Sequence, residues 1–203
     1  MNDIFAAVVH DVKNQLAELA FRLEKRDDAQ QELALALSAA RRLTEMLLVY
    51  RHEHELLSVN PDSVDAADFL AILAAEYRQL FPRLRIEVNA DHAPAFAFFD
   101  DALVRVALAN ALHNACRFGS SRVMLSAHEE DKLLVLQVSD DGAGFPQNIL
   151  SNGGELPSNV SYRGTGLGLF LAKRIAESHH LNERHGRIEL SNADGAVFRM
   201  LLP

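Results

Sequence analysis

The chain has 203 residues, of which 49% are hydrophobic and 24% charged, a composition typical of globular proteins rather than disordered or collagenous ones. Its 20 Lys and Arg against 28 Asp and Glu give a formal charge of −8, so we expect neither nucleic acid nor an anionic membrane surface as the main partner. The single cysteine, Cys116, excludes an internal disulfide and fits a cytoplasmic location. No apolar run approaches the roughly 18 to 20 residues that a membrane span needs, so we expect no membrane segment in this chain.

Residues 1–58 predict two amphipathic helices in an antiparallel hairpin. Apolar residues recur there at spacings of three and four, in two stretches that a charged segment at 25–28 separates. Asp28, followed by Gln31, resembles a capping box that opens the second helix. Since two such helices cannot bury both apolar seams alone, we expect a second copy to complete a dimeric four-helix bundle. The apolar positions are Phe5, Val9, Val12, Leu16, Leu19, Leu23, Leu33, Ala36, Leu37, Ala40, Leu43, Leu47 and Tyr50.

Residues 64–203 predict a second domain after a short polar linker at 58–63. Helices on one side of a mixed, mostly antiparallel sheet would make it an α+β sandwich. The stretch 140–165 is rich in Gly, Asn, Ser and Pro and is too long for a simple connection, which favours a lid at 145–164. Helices are expected at 65–80, 101–118 and 167–179, and strands at 85–89, 95–99, 122–127, 133–139, 187–190 and 197–202.

A histidine near the N-terminus is followed by polar residues at helical spacing. His10 has Asp11 beside it and Asn14 one turn further along the predicted helix. A neutral imidazole is a nucleophile at neutral pH, and a neighbouring carboxylate can fix its tautomer and accept its proton as it attacks phosphorus. A surface histidine beside an acidic residue is also common without any function, so this motif alone leaves both interpretations open.

Four residues share one face of the predicted helix 101–118. Asn110, Asn114, Arg117 and Phe118 lie at i, i+4, i+7 and i+8. Because Asn is unfavourable inside helices, two of them one turn apart indicate either a function or buried hydrogen bonds. Amide oxygens suit a hard Mg²⁺ ion, and a guanidinium suits phosphate.

Two glycine motifs follow, at 140–144 and 164–168. In the first, a carboxylate at Asp140 can accept a hydrogen bond from an exocyclic amine while the glycines let the backbone approach a planar base, although acidic turns of this composition are common. The second opens the predicted helix at 167, where backbone N–H groups can bind an anion. Its spacing is neither that of a dinucleotide fold nor that of a Walker loop.

In this order, the four motifs resemble those of two-component sensor histidine kinases. Such proteins have a dimerisation and phosphotransfer hairpin followed by a Bergerat-type ATP-binding domain, and the resemblance covers essentially the whole chain. It implies a protein-histidine kinase that uses ATP and Mg²⁺, dimerises through the hairpin, and passes a phosphoryl group from His10 to an aspartate of a response-regulator receiver domain.

The resemblance also implies residue roles. His10 would be the phosphoacceptor, Asp11 its acidic partner, and Asn14 the residue that orients the water for dephosphorylating the regulator. Asn114 would be the Mg²⁺ ligand. Asn110 stands where related ATPases have a catalytic Glu, and because an amide is no base, transfer would be favoured over hydrolysis. The nucleotide contacts would be Asn110, Asn114, Arg117, Phe118, Asp140, Gly142, Gly144, Gly164, Thr165, Gly166, Leu167 and Gly168.

Two alternatives and some smaller expectations remain. A phosphotransfer or docking protein with a non-catalytic nucleotide domain is one alternative, and an anti-sigma-type serine kinase without need of a hairpin is the other. Gln15 stands where the commonest histidine motif has Pro, so no proline kink is expected there. We expect Cys116 to be a buried packing residue, and His179, His180 and His185 to accompany a helix end for dipole reasons rather than to bind metal.

Overall fold

The computed structural model describes residues 2–24, 29–54, 57–153, 155 and 167–203. Within the first two helices, only the backbone is described at residues 2–7, 10, 24, 30–31 and 33–34. The chain divides into two compact units, Met1–Leu57 and Ser58–Pro203. No helix of the described part is long and apolar enough to cross a membrane.

The first unit consists of two helices that pack against each other, α1 (Asn2–Glu24) and α2 (Gln30–Glu53). Only five residues separate these long helices, so packing along their length requires an antiparallel arrangement. The expected cap at Asp28 is wrong by one position, because Ala29 occupies the N-cap of α2 and makes no side-chain capping bond. Ala29 is buried, so packing rather than cap chemistry fixes the start of this helix.

The apolar seam of the first unit is only partly covered within one chain. Val9, Ala20, Ala36 and Leu48 are buried. Larger apolar side chains remain exposed, among them Phe21 at 58% and Leu35 at 71%. A single copy therefore leaves much of its apolar surface in water. The others in the described part are Val8, Val12, Leu19, Leu37 and Met46.

The second unit is built on a five-stranded sheet. Its strands are β2 (Arg85–His92), β4 (Arg122–Glu130), β5 (Leu133–Asp140), β8 (Arg187–Asn192) and β9 (Ala196–Leu202), in the spatial order β2-β4-β5-β9-β8. The β2–β4 pair is parallel and the other neighbours are antiparallel. The predicted mixed, mostly antiparallel sheet is therefore confirmed.

In its described residues this unit has four helices, α3 (Ala66–Leu80), α4 (Asp101–Phe118), α5 (Gln147–Asn152) and α6 (Leu167–Ser178). The helix α3 packs on β2 and β4, α4 on β5, and α6 on β8 and β9. Alternate strand residues are buried against these helices, as the period of two in a strand requires. Among them are Ile86, Val123, Leu125, Leu136 and Met200.

Two short ribbons complete the unit, and of their strands the sequence predicted the one within 95–99 but not the other three. The strand β1 (Asp62–Val64), in part of the expected linker, pairs with β3 (Ala97–Phe99), and β6 (His180–Leu181) pairs with β7 (Arg184–His185). Strands of two or three residues are too short to show an alternation of polar and apolar residues. The short helix α5, within the expected lid, was missed for the same reason of length.

The hairpin between β4 and β5 also turns later than expected. The strand β4 runs to Glu130, beyond the expected end at 127, and the turn is formed by Asp131 and Lys132. Both have left-handed backbones, with φ of 51° and 61°. Turns of this kind match the twist of the flanking strands, so strand pairing placed the turn.

The start of α4 is fixed by a buried aspartate. Asp100 caps the helix, with Oδ1 accepting a hydrogen bond from the Leu103 N–H at 3.0 Å. Its Oδ2 accepts from the Asn60 N–H at 3.0 Å. The same carboxylate therefore holds both the helix that carries the asparagine motif and the segment that leads into the unit.

Candidate functional site

The polar face predicted on α4 is present, and it changes character along the helix. Asn110 is buried, Asn114 is half-buried, and Arg117 and Phe118 are exposed. The Arg117 guanidinium carbon lies 5.3 Å from the centroid of the Phe118 ring. One helix face thus runs from a buried amide to an exposed cation stacked on an aromatic ring.

The amide of Asn110 is buried without being satisfied. Its Nδ2 atom has no hydrogen-bond partner in the part of the chain that the structure describes. Leaving a buried donor unpaired costs about 1–3 kcal/mol, so such groups normally have an acceptor, and here the described residues do not supply it.

The beginning of α6 lies against this amide. A Cβ built at Gly168 would be 3.2 Å from both Cβ and Cγ of Asn110, so any larger residue would require the Asn110 side chain to shift. Leu167 next to it is half-buried. The fold therefore brings the asparagine motif and the end of the last glycine motif together, while Gly164, Thr165 and Gly166 lie outside the described residues.

Asp140 ends β5 with one carboxylate oxygen fixed by the backbone. Oδ1 accepts hydrogen bonds from the Gly142 N–H at 2.8 Å and from the Ala196 N–H at 3.2 Å. Among the described residues nothing donates to Oδ2. An oriented carboxylate with one oxygen available is suited to accept a hydrogen bond from an amine.

The glycines after Asp140 are required by close contacts. A Cβ at Gly142 would lie 2.2 Å from the carbonyl oxygen of Phe118, the last residue of α4. Gly144 has a φ of +79°, and a Cβ there would lie 2.7 Å from Cγ of Asn192. The turn that follows β5 is thus pressed between the end of α4 and the end of β8.

Asn192 holds the start of the expected lid, and sequence reasoning missed it. Its Oδ1 accepts from the Phe145 N–H at 2.7 Å, and its Nδ2 donates to the Phe145 carbonyl at 3.0 Å. The residue stands before Ala193, Asp194 and Gly195, an ordinary turn composition, so the sequence carries no signal for this clamp.

Asp141 was also missed, and it ties two loops together. Its carboxylate accepts hydrogen bonds from the backbone N–H groups of Ser120, Ser121 and Arg122 and from the Ser121 hydroxyl. The Ser121 hydroxyl and these N–H groups hold the pKa of Asp141 well below its usual range. Asp140 and Asp141 therefore have separate tasks, since Asp141 joins the turn after β5 to the loop between α4 and β4.

Part of the expected lid is anchored on α6. The Glu155 carboxylate accepts a hydrogen bond from Lys173 Nζ at 2.6 Å and pairs with Arg174 Nη2 at 3.2 Å. The bond from Lys173 lowers the pKa of Glu155. The pairs are partly exposed, so we expect them to position Glu155 rather than to add much stability.

The histidine motif lies on α1, in the first unit. His10 is within the helix, and its side chain is outside the described part. Asp11 and Asn14 are exposed. Gln15 donates from Nε2 to Asp11 Oδ2 at 3.2 Å and so orients the acidic neighbour of His10.

The histidines near the end of α6 have structural contacts. His179 Nδ1–H donates to the Ile175 carbonyl at 2.8 Å, and Nε2 accepts from the Asp100 N–H at 3.0 Å. The ring is therefore neutral, and burial lowers its pKa, so His179 interacts with the end of α6 through a hydrogen bond rather than through a positive charge. The rings of His180 and His185 stack at 5.6 Å across the β6–β7 pair.

Cys116 is buried on α4, as expected. Burial, with a smaller contribution from the charge of Asp140, raises the pKa of its thiol to about 12. A thiol in this state is not reactive at neutral pH, so Cys116 is a packing residue.

Comparison with known proteins agrees with this geometry. Residues 99–203, more than half of the chain, match the family model described as histidine kinase-, DNA gyrase B-, and HSP90-like ATPase. The chain is 30% identical over 200 residues to the sensor histidine kinase GtrS of Pseudomonas aeruginosa. The aligned region covers 93% of this chain and 40% of that protein. It therefore spans less than half the length of this relative.

Two solved structures have the same fold. The histidine kinase AdeS of Acinetobacter baumannii matches with a TM-score of 0.67 and 15% identity, over 96% of this chain and 93% of that one. ShkA in complex with AMPPNP matches with a TM-score of 0.68 and 18% identity, over 99% and 45%. From the family match, the chain belongs to the histidine kinase-, DNA gyrase B- and HSP90-like ATPases, and it is similar in sequence to part of a sensor histidine kinase.

Proposed function

We propose that this chain transfers the γ-phosphoryl group of ATP to His10 and from there to an aspartate of a response-regulator receiver domain. The observation that carries this proposal is the buried and unpartnered Nδ2 of Asn110, against Gly168 and on the helix face of Asn114. A phosphate oxygen of bound ATP would be the acceptor that this donor lacks. ShkA, which shares the fold, is described in complex with AMPPNP, and this supports a nucleotide here.

The nucleotide would lie along the polar face of α4. Asp140 Oδ2 would accept a hydrogen bond from the adenine amine, because Oδ1 is held by two backbone N–H groups. Phe118 would contact the base, and Arg117 the phosphates. The amide oxygen of Asn114 is a ligand type that Mg²⁺ prefers, so Asn114 would hold this ion, whose charge offsets that of the transferring phosphoryl group.

Transfer rather than hydrolysis follows from the residue at position 110. Nε2 of His10 would attack the γ-phosphorus, the bond to the bridging oxygen would break, and ADP would leave. Asp11 would assist by orienting the imidazole and accepting its proton. Activation of water would need a base such as a carboxylate, and Asn110 has an amide at this position. Water would therefore not be activated to compete with His10 for the γ-phosphorus.

The first unit would form the dimer. Two antiparallel helices with exposed side chains such as Phe21 and Leu35 leave an apolar surface that a second hairpin would cover. We expect the chain to sediment as a dimer and Leu35→Asp to sediment as a monomer. The matched control is Leu80→Asp, which changes an exposed leucine at the end of α3 in the other unit. A monomeric parent chain would contradict this assembly.

Phosphorylation itself is tested with γ-labelled ATP. Label on the purified dimer should be stable to base and labile to acid, as expected of a phosphoramidate, and His10→Ala should abolish it. His92→Ala, which removes an exposed histidine at the end of β2, should leave it intact. Base-labile label, or none in a chain that binds MgATP, would contradict the proposal. Absence of MgATP binding would favour the relay or docking alternative.

A further inference from the structure

Three arginines line one concavity of the second unit. Arg83, Arg85 and Arg122 surround a cavity of about 520 Å³ together with Ser121 and Asp141, and we call it the triarginine cavity. Arg83 lies in the turn between α3 and β2, Arg85 begins β2, and Arg122 begins β4. Arg85 and Arg122 are register partners of the parallel pair. Separate segments of the chain thus deliver three guanidinium groups to one place.

The triarginine cavity lies on the face of the sheet opposite to the helices. Ile86 and Val123, the residues after Arg85 and Arg122, are buried. Because successive strand residues point to opposite faces, these arginines point away from α3 and α4. Asn114 belongs to α4, on the other face, so the sheet separates the triarginine cavity from the nucleotide site.

The charge at this cavity is positive. Asp141 is the acidic residue in its lining, and its carboxylate is engaged by the loop that contains Ser120 and Ser121. In the described part of the chain, the three guanidinium groups have one ion pair, a long contact of 3.9 Å from Arg85 Nε to Glu87 Oε1. Such a concentration of positive charge in a chain of net charge −8 attracts anions to this position.

The backbone beneath the arginines is held in place. The Arg85 N–H donates to the Ser121 carbonyl at 3.0 Å, and Asp141 accepts from the Arg122 N–H at 3.1 Å. The starts of β2 and β4 and the end of β5 are therefore linked. A binding surface that is already ordered loses less conformational entropy when a ligand binds.

We propose that the triarginine cavity binds a soluble anion that carries two or more phosphate groups. Guanidinium groups bind phosphate oxygens in pairs of parallel hydrogen bonds, and three of them spread around a cavity of about 520 Å³ can engage more than one phosphate group. The cavity volume lies in the range of small-molecule sites. A concave site of this size favours a compact polyphosphate over the extended acidic surface of a protein.

The test measures binding of inorganic tripolyphosphate to the whole chain by titration calorimetry at about 0.15 M salt. We expect one anion per chain, with an affinity that falls as salt is raised. Replacing Arg85→Gln and Arg122→Gln together should weaken binding by at least about tenfold. The matched control is Arg187→Gln, which removes an arginine from β8 that is already paired with Glu189 at 3.0 Å, and it should change the affinity by less than about twofold.

Two further titrations separate this site from others. Asn114→Ala, in the nucleotide site, should bind tripolyphosphate as the parent chain does. The proposal would be overturned if the parent chain did not bind tripolyphosphate or if Asn114→Ala lost this binding. It would also be overturned if the Arg85 and Arg122 double change weakened binding no more than Arg187→Gln does. Equally tight binding of a hexaglutamate peptide would also overturn it, because the cavity would then recognise carboxylates rather than phosphates.

Discussion

Gly168 of α6 packs directly on the side chain of Asn110 of α4, so closely that a Cβ on the glycine would be 3.2 Å from Cβ and Cγ of the asparagine. The contact joins two motifs that are more than fifty residues apart in the sequence. It also places the N-terminal turn of α6 beside an amide that lacks an acceptor among the described residues. An anion at this point would supply that acceptor and would lie at the positive end of the helix dipole.

We expect Gly168→Ala to weaken MgATP binding several-fold, because the new methyl group displaces the Asn110 amide. Alanine is a better helix former than glycine by about 1 kcal/mol, and this gain offsets the cost of displacing the Asn110 side chain. The free energy of unfolding should therefore change little. Titration calorimetry and urea unfolding measure the two quantities. In an Asn110→Ala background the effect of Gly168→Ala on affinity should vanish, and an unchanged effect there would show that the amide is not involved.

We expect Asn114→Ala to lower MgATP affinity by at least about tenfold, since the proposed ligand of the ion is removed. Affinity for ATP without Mg²⁺ should change much less, because the base and the glycine turns would still bind. Asn148→Ala, which removes an exposed asparagine from α5, is the control. Equal losses with and without Mg²⁺ would argue against a metal ligand at this position.

We expect Asn14→Ala to leave autophosphorylation unchanged and to slow dephosphorylation of the response regulator. Asn14 is exposed on α1, one turn after His10, where its amide could orient a water molecule. The time course of label loss from the phosphorylated regulator measures this. Asn14→Thr should restore the rate, and equal rates in Asn14→Ala and the parent chain would contradict the role.

We expect the stability of the second unit to fall as pH drops below about 6.5. Burial lowers the pKa of His179 in the folded state, so the unfolded state binds the proton first. The stabilisation is fully present above the unfolded pKa and is lost as pH falls through the folded one. Urea unfolding at about pH 7.5 and about pH 5.5 measures the difference.

The control for this pH effect is a substitution that cannot titrate. His179→Gln keeps an acceptor for the Asp100 N–H, and it should show a smaller loss between the two pH values than the parent chain does. His92→Gln, at an exposed position at the end of β2, should behave as the parent does. An identical pH dependence in His179→Gln would exclude His179 as the cause.

We expect Asp141→Asn to lower the urea midpoint, because the neutral amide accepts fewer and weaker hydrogen bonds from the 120–122 loop. The pKa of Asp141 is depressed in the folded state, so its contribution is present above the unfolded value of about 3.9 and is lost as pH falls through the folded one. Asp194→Asn, in the exposed turn before β9, should leave the midpoint unchanged. If Asp141→Asn had the same urea midpoint as the parent chain, the hydrogen bonds from Asp141 to the 120–122 loop would not contribute to stability.

Long elements could be predicted from the sequence, and short ones could not. The helix from Asp101 to Phe118 has the predicted bounds, because its apolar spacing extends over several turns. The strands β1, β6 and β7 and the helix α5 were missed, since each is shorter than the periodic signal that would reveal it. The start of α2 and the turn at Asp131 lie later than the sequence predicts. Packing fixed the start of α2, and strand pairing fixed the turn.

The sequence by itself determined the order of the motifs and which side chains share a helix face. Asn110 and Asn114 must lie on one side of α4 once that segment is a helix, because helical geometry is local. Only the tertiary structure decided that Gly168 touches Asn110, that Asn192 clamps Phe145, and that Arg83, Arg85 and Arg122 meet. These contacts depend on how distant helices and strands pack, which no local spacing encodes.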